Sequence, residues 1–376
     1  MSNSKKKRQA AILTLFVFLL PLLLIMLGFS VDLAYMQLVK TELRLASDNA
    51  ARVAADNLSR YEDEALAISE AIVVAKEFKV AGKPLQLAIN DVDIGRATAN
   101  SAGEYIFDTD GYPPNAVRIN SVRDSNNADG TVPLFFSNLI GSGQYAPETS
   151  ATASFLNVDI CLVLDRSTSM KLDLTTTDTG MSISDPRFCN PPNSVSRWAN
   201  LKSGVDVFCD TLASNTSEEK VSIVTYGSDL NTIMRGLCGR TTNATIELDL
   251  STDLVGVKSK INEISSRLWN GNTEIYAGID KATTILTGPN SRNFADKVMI
   301  VLTDGYPTAG NAIASATTAA AQRITVYTIT FGNDADQDYM KLVAQAGGGL
   351  HAHANDAVTL VDVFKKFAAK ATVLVE

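Results

Sequence analysis

Histidine and cysteine are scarce in this chain, with two and four among 376 residues. No C-x-x-C pair occurs, which argues against a zinc centre built from cysteine pairs. His351 and His353 stand two positions apart on one short segment, so no Ser-His-Asp or Cys-His constellation is apparent. Two apart, they share a strand face and read as residues of one solvated strand edge, with a metal role as the alternative. Excess positive charge is lacking too: the net charge is −8 and the pI near 5.0, without the basic face a nucleic-acid binder needs. Cys161 lies inside an apolar run and reads as a buried thiol. Cys189, Cys209 and Cys238 can form at most one bridge, which an oxidising compartment outside the cytoplasm would permit.

Charge is absent altogether from Ala10 to Val31, "AAILTLFVFLLPLLLIMLGFSV". That run has about the ~20 residues a bilayer crossing needs, and Lys5, Lys6, Lys7 and Arg8 precede it. A cleaved signal peptide is the rival, with Gly28-Phe29-Ser30 as a small-x-small site, but its apolar region would be only about 7–15 residues. The expectation is an uncleaved anchor with a cytoplasmic tail over residues 1–9, a transmembrane helix over 10–31, and the rest of the chain on the far side. Asp32 sits at the outer edge of the span. It is expected to stay hydrated at the interface, or else to meet a membrane partner.

Residues 32–80 read as a helical stalk. Leu38, Leu45, Ala46, Val53 and Ala54 carry a helix to about Leu58, and a second runs from Glu62 to Val80, ending at "AGKP". Ala46, Ala50, Ala51, Ala54 and Ala55 leave room either for ordinary packing or for a partner helix. Over residues 81–157, short alternating runs split by Gly, Pro, Asn and Asp suggest a small β-rich module. Over 158–376, apolar strands alternate with amphipathic helices, the pattern of an α/β fold whose parallel sheet is covered on both faces. The Thr-, Asp- and Pro-rich stretch between Met170 and Arg197 reads as a surface loop.

Two strands of that α/β region end in aspartate: "CLVLD" at Asp165 and "VMIVLTD" at Asp304. Ligands of open α/β sheets bind at the carboxyl ends of strands, where strand order reverses. Ser167 and Ser169 follow the first aspartate, and Thr273 opens a helix after "NGN". Five oxygen donors without nitrogen or sulfur select a hard divalent cation, Mg²⁺ first, with Mn²⁺ or Ca²⁺ next. Hydroxyl ligands are neutral, so if Ser167, Ser169 and Thr273 touch the metal while Asp165 and Asp304 act largely through water or hydroxyl hydrogen bonds, the ion would stay electrophilic and take a carboxylate from a partner protein. Taken alone, Asp-x-Ser-x-Ser at a strand end reads first as a helix cap or an Asx turn, and it is Thr273 and Asp304 in register that favour a metal site.

The "DRSTS" run, Thr273 in "GNTEIYAGI" and Asp304 in "LTDG" resemble the metal-ion-dependent adhesion site of the von Willebrand factor A domain. The resemblance covers about Val158 to Ala371 and extends to "ITVYTITFG" and the closing helix. It implies a Rossmann-like fold in which the two serines and the threonine are direct ligands and the aspartates complete the site. The basic tail, span and "VDLAYMQLVKTELRLASDNAARVAA" resemble the TadE/TadG-like N-terminus of Flp (tight adherence) pilus-assembly proteins, and "PPNAVRINSVR" to "SATASF" the β-rich region of the TadG-like branch. The long insertion after Met170 departs from the family pattern. The resemblance implies a single-pass bacterial membrane protein facing the periplasm or cell surface. Its A domain would capture a carboxylate on a pilus or envelope component. In such a protein Asn57, Asn215 and Asn243, which fit N-x-[ST], read as ordinary surface residues. Two alternatives stay open. One is an A domain serving as a scaffold with no metal-dependent binding. The other is a Mg²⁺-dependent phosphatase, against which Ser167 stands where that chemistry needs a second carboxylate.

Overall fold

The computed structural model describes residues 2–100, 104–127, 130–137, 141, 143–176, 185–214, 219–228, 238 and 242–371. Asn215, the side chains of Lys5 to Arg8 and residues 177–184 of the insertion lie outside that set. The chain forms two compact units, Met1–Thr98 with Tyr105–Phe155, and Ala99–Glu104 with Leu156–Glu376.

The first unit opens with one continuous helix, α1 (Ser2–Tyr61), three residues longer than the periodicity suggests. Its apolar part has a mean hydropathy of 2.4 and is long enough to cross a membrane. Pro21 lies inside it, as membrane helices tolerate. The chain breaks at Glu62, whose φ is 53°, and Asp63 then caps α2 (Glu64–Glu77) by accepting the Leu66 amide at 3.0 Å. The second helix is shorter than expected. Its last predicted turn is instead a small hairpin, β1 (Lys79–Val80) against β2 (Lys83–Pro84). Ala81 and Gly82, both at positive φ, make the turn, and the Ala81 amide donates to the Glu42 carboxylate at 2.8 Å.

The small residues of α1 pack within the unit. Ala46, Ala50, Ala51, Ala54 and Ala55 are all buried, and α2 buries Ala67, Ala71 and Ala75 where the two helices meet. Alanine on both surfaces lets the backbones approach, so the close neighbour is the chain's own helix. The strands β3 (Val92–Ala99), β4 (Tyr105–Asp108), β5 (Ala116–Val122), β6 (Val132–Pro133), β7 (Gln144–Tyr145) and β8 (Glu148–Ser154) follow. Four of them form a sheet in the order β4-β3-β5-β8, and α1 packs on β5 and β8. The Ser47 and Ser121 hydroxyls share a hydrogen bond of 2.7 Å at that contact. Asp32 is neither hydrated nor free for a partner. It is 2% exposed and accepts the amides of Phe135, Phe136 and Ser137 and the Ser137 hydroxyl.

The second unit is the expected α/β domain. Strands β9 (Val158–Asp165), β10 (Lys220–Tyr226), β11 (Ala244–Ser251), β12 (Asp296–Thr303), β13 (Ile324–Phe331) and β14 (Gly348–Ala354) form one sheet in the order β11-β10-β9-β12-β13-β14. All pairs are parallel except β10 with β11. That antiparallel edge strand, "ATIELDLS", is absent from the sequence-based reading, because polar residues at Glu247 and Asp249 dilute its apolar signal.

The period of two along each strand divides the core. Ile160, Leu162 and Leu164 of β9 face α3 (Arg197–Ala213), α4 (Leu254–Ser265) and α8 (Ala357–Ala371), where Trp198, Phe208 and Phe364 pack. Cys161 and Val163 face the other layer, α5 (Ile275–Leu286), α6 (Ala312–Ala321) and α7 (Gln337–Ala346), with Ile279 and Met340. From the central β9 the chain moves to β10 on one side and later to β12 on the other. The switch in strand order therefore falls between β9 and β12.

Phe208 is fully buried and meets Phe364 edge-to-face, with ring centroids 6.0 Å apart, tying α3 to α8. Phe208→Ala is expected to cost about 3–5 kcal/mol. Both tryptophans lie buried in this unit, so urea unfolding of the full chain followed by tryptophan fluorescence reads the loss directly. A change within ~0.5 kcal/mol, the usual range for surface substitutions, would contradict this packing.

Candidate metal centre

Residue Asp165 ends β9 and Asp304 follows β12, on the two central strands, and both are fully buried. The loop after β9 turns at once: the Ser167 amide donates to Asp165 Oδ1 at 2.7 Å, so the Asx turn allowed by the local sequence is present. A short 3₁₀ helix, Thr168–Lys171, follows. The Thr168 amide donates to the Gly271 carbonyl at 2.9 Å, and Trp269 Nε1 donates to the Ser167 carbonyl at 3.0 Å. These bonds fasten the serine loop to the segment that carries Thr273. The Thr273 amide in turn donates to Thr308 Oγ1 at 3.1 Å, and the Thr308 amide returns a bond to the Thr273 carbonyl at 2.9 Å.

The side-chain oxygens come together at this point. Ser167 Oγ and Ser169 Oγ share a hydrogen bond of 2.9 Å, and Ser169 Oγ donates to Asp304 Oδ1 at 2.7 Å. Gly305 lies beside them. A Cβ there would stand 3.5 Å from Thr273 Oγ1 and 3.8 Å from Ser169 Oγ, so glycine leaves open a cradle between the two hydroxyls. All five residues expected at the site thus gather at one end of the sheet. Among the described residues there is no group of three or more His, Cys, Asp or Glu that could hold a metal. The donor set here is two carboxylates and three hydroxyls, an all-oxygen combination that suits a hard cation.

Four residues the sequence did not single out complete the site. Thr303 Oγ1 donates to Asp165 Oδ2 at 2.8 Å, and the Tyr226 hydroxyl lies 3.4 Å from the same oxygen while donating to the Leu302 carbonyl. Arg197, at the start of α3 and 1% exposed, donates through Nη1 to Asp304 Oδ2 and through Nη2 to Asp334 Oδ2, each at 2.9 Å. Thr303 was within reach, beside Asp304 in "LTDG". Arg197 carried no sequence signal, since an arginine opening an amphipathic helix after a loop reads as a solvated residue. Burial pushes the Asp165 carboxyl up from its usual range, and the neighbouring Asp304 carboxylate pushes it further. Burial raises Asp304 as well, opposed by the Ser169 hydroxyl and the Arg197 guanidinium.

The insertion after Met170 reaches this site through its first residues. The Arg197 amide donates to the Leu172 carbonyl at 2.7 Å, and Arg197 Nε to the Asp173 carbonyl at 3.2 Å. Its far end carries Cys189, bonded to Cys238. Cys161 and Cys209 are free and buried, and burial pushes each thiol up to about 12. The two histidines lie on edge strand β14, but they are partly buried against β13 rather than solvated as expected. His351 bonds Thr328 Oγ1 at 2.9 Å and His353 bonds Thr330 Oγ1 at 2.9 Å, both on β13.

Residues 159–366 match the von Willebrand factor type A domain, and the chain belongs to that family. Residues 9–57 match the Flp pilus-assembly TadE/G-like family. That order of segments is the architecture of a TadG-like Flp pilus protein. A comparison with curated proteins gives no match. Among solved structures, the chain is similar to the conserved hypothetical protein BatB from Bacteroides thetaiotaomicron, at 18% identity, covering 58% of this chain and 98% of that one, with a TM-score of 0.41. The von Willebrand factor type A protein from Catenulispora acidiphila aligns at 20% identity, over 60% of this chain and 45% of that one, with a TM-score of 0.41. The pilus adhesin SpaC from Lactobacillus rhamnosus GG aligns at 15% identity, over 70% and 35%, with a TM-score of 0.44.

Two measurements follow from this geometry. Arg197→Met leaves Asp304 buried without its counter-charge and is expected to cost about 3–5 kcal/mol, most of it recovered in Arg197→Met/Asp304→Asn. Urea unfolding of the three proteins checks this, and equal stability of parent and single variant would refute the pairing. His351 supplies a pH dependence. Burial lowers its imidazole pKa to about 4, with the Lys341 ammonium and His353 adding to the effect. In the unfolded chain the ring titrates near ~6.5, so the unfolded state takes up the proton first. This contribution is complete above about 6.5 and is lost as pH falls from there toward 4. The urea midpoint of His351→Gln should therefore drop less than the parent's between pH 7 and 5 (roughly the span where the free ring titrates). Parallel drops would contradict it.

Proposed function

We propose that this chain is a membrane-anchored, cation-dependent binding component of Flp pilus assembly. Its von Willebrand factor type A domain would hold a partner protein by a carboxylate. The observation that carries the reading is the gathering of Ser167, Ser169, Thr273, Asp165 and Asp304 around the Gly305 cradle. Ser167, Ser169 and Thr273 would touch Mg²⁺ directly, and Asp165 and Asp304 would complete the site, with Mn²⁺ or Ca²⁺ as substitutes. When bound, such an ion would supply an electrophilic position for one more anionic oxygen. The chain's own residues do the rest. Thr303 and the Ser167 amide orient Asp165, Arg197 fixes Asp304, and the Thr168–Gly271 bond keeps the serine loop against the Thr273 segment.

Nothing in the donor set calls for bond making. The position two residues after Asp165 is a serine, not the acid that aspartyl phosphatases need, and both histidines are engaged with β13 threonines. The TadE/G-like match and the long apolar part of α1 support a single-pass membrane protein. The four cationic residues before the span favour a cytoplasmic N-terminus. The Cys189–Cys238 disulfide fits an oxidising compartment for the second unit. Pilus or envelope proteins are the partners that location offers.

The test is Mg²⁺ titration of the full chain in detergent by calorimetry, with thermal unfolding in Mg²⁺ and in EDTA. One site is expected. At one hundred times its dissociation constant the ion should stabilise the protein by about 2.7 kcal/mol. Asp165→Ala should abolish both effects while circular dichroism stays unchanged. Absence of heat and of any thermal shift in the parent would leave only a scaffold.

A further inference from the structure

The first unit carries an aromatic loop with an unusual setting. Phe135 and Phe136 are adjacent, 62% and 42% exposed, and stand beside the apolar end of α1. Phe136 lies on Gly28: a Cβ at Gly28 would come within 2.9 Å of its ring. Gly28 is accordingly buried, in a helix face whose other side chains between Leu15 and Val31 are exposed. Phe135 packs against Tyr35 with the rings tilted at 56° and their centroids 4.9 Å apart. A groove along Leu24 to Ser30 is roofed by Phe136 and Ser137 and is almost wholly apolar.

Gly28 belongs to the charge-free run that ends at Val31. Three residues of helix rise about 4.5 Å, so a ring seated on Gly28 lies that far inside the outer end of the run. Amphipathic elements that lie in the membrane interface reach about 5–10 Å into the headgroup and acyl boundary. The obstacle for any loop there is its backbone, because amides that lose water must find another acceptor. This loop meets that condition. Asp32 accepts the amides of Phe135 at 2.9 Å, Phe136 at 3.1 Å and Ser137 at 2.6 Å, and the Ser137 hydroxyl at 2.6 Å. One buried carboxylate thus satisfies three consecutive amides beside the two phenylalanines.

We infer that the Phe135-Phe136 loop is a second membrane contact, an aromatic wedge entering the outer leaflet beside the span, with Asp32 sealing its backbone. The occupant of the groove is lipid. The inference rests on the membrane reading of α1 given above. Aromatic rings at this depth, flanked by Tyr35, follow the preference of such side chains for the interface. The wedge would fix the tilt and rotation of α1, since a helix held at two points cannot turn freely about its own axis.

The experiment uses the full chain in phosphatidylcholine liposomes, with and without lipids brominated on their acyl chains. Phe136→Trp is the reporter, Phe135→Trp a second reporter at a more exposed position, and Leu20→Trp a control in the middle of the span. Trp198 and Trp269 are buried in the other unit, and the parent's signal supplies their background. The expected result is blue-shifted emission from both reporters, quenched by brominated lipid and protected from aqueous iodide. If Leu20→Trp is quenched while both reporters are quenched only by iodide, the loop stands in water and the inference falls while the span remains. Reporters protected from both quenchers would mean that protein covers the groove, which also overturns it. If Leu20→Trp escapes brominated lipid as well, the membrane reading and the wedge fail together.

Discussion

Two carboxylates buried side by side, Asp165 and Asp304, are the constraint around which the second unit is organised. The fold makes them neighbours, because β9 and β12 are adjacent parallel strands that end together. Burial and mutual repulsion both disfavour their charged forms, so the surrounding structure must supply compensation. The same strand shows what ordinary compensation looks like. Asp159, near the start of β9, is also fully buried, and Arg292 answers it with an ion pair of 2.8 Å and a backbone amide at 2.7 Å. Asp304 has Arg197. Asp165 forms no ion pair among the described residues, and its acceptors are filled by an amide and a hydroxyl. That asymmetry gives a physical reason to read one end of the sheet as structural and the other as a place for a cation.

Much of this was legible in the sequence. Continuous apolar strands alternating with amphipathic helices specified the α/β sheet, because strands buried on both faces need not alternate. The five oxygen residues were legible because their positions relative to strand ends and a helix start are local facts. Arg197 was hidden by the opposite circumstance, since its role depends on where Asp304 and Asp334 arrive in space. The edge strand β11 escaped because one exposed face and two acidic residues left it no distinct period. The end of α2 was misread because "AGKP" stops a helix and turns a hairpin with the same chemistry. Only pairing across the turn decides between these.

The first unit shows how weakly a residue type alone constrains its use. Alanines spaced along α1 permit close approach, but whether a partner or the chain itself makes that approach depends on what lies nearby. Here α2, β5 and β8 fill the space. Asp32 makes the same point more sharply. A carboxylate at the end of a span ordinarily keeps its water, yet three consecutive amides more than a hundred residues away replace that water completely.

The insertion after Met170 connects the acidic end of the sheet to the rest of its surface. Its first residues offer their carbonyls to Arg197, the group that neutralises Asp304. Its far end is held at Cys238, and the Cys189 carbonyl accepts the Trp269 amide at 2.8 Å, only a few residues before Thr273. One segment is therefore bonded to the arginine behind Asp304 and to the strip that carries the threonine. A displacement of this segment would reach both sides of the oxygen cluster through these hydrogen bonds. In the proposed binding role, the described parts of this segment would lie beside the cation face, where a partner would make its contact. It would then contribute to which carboxylate is accepted, while the metal position itself stays chemically generic.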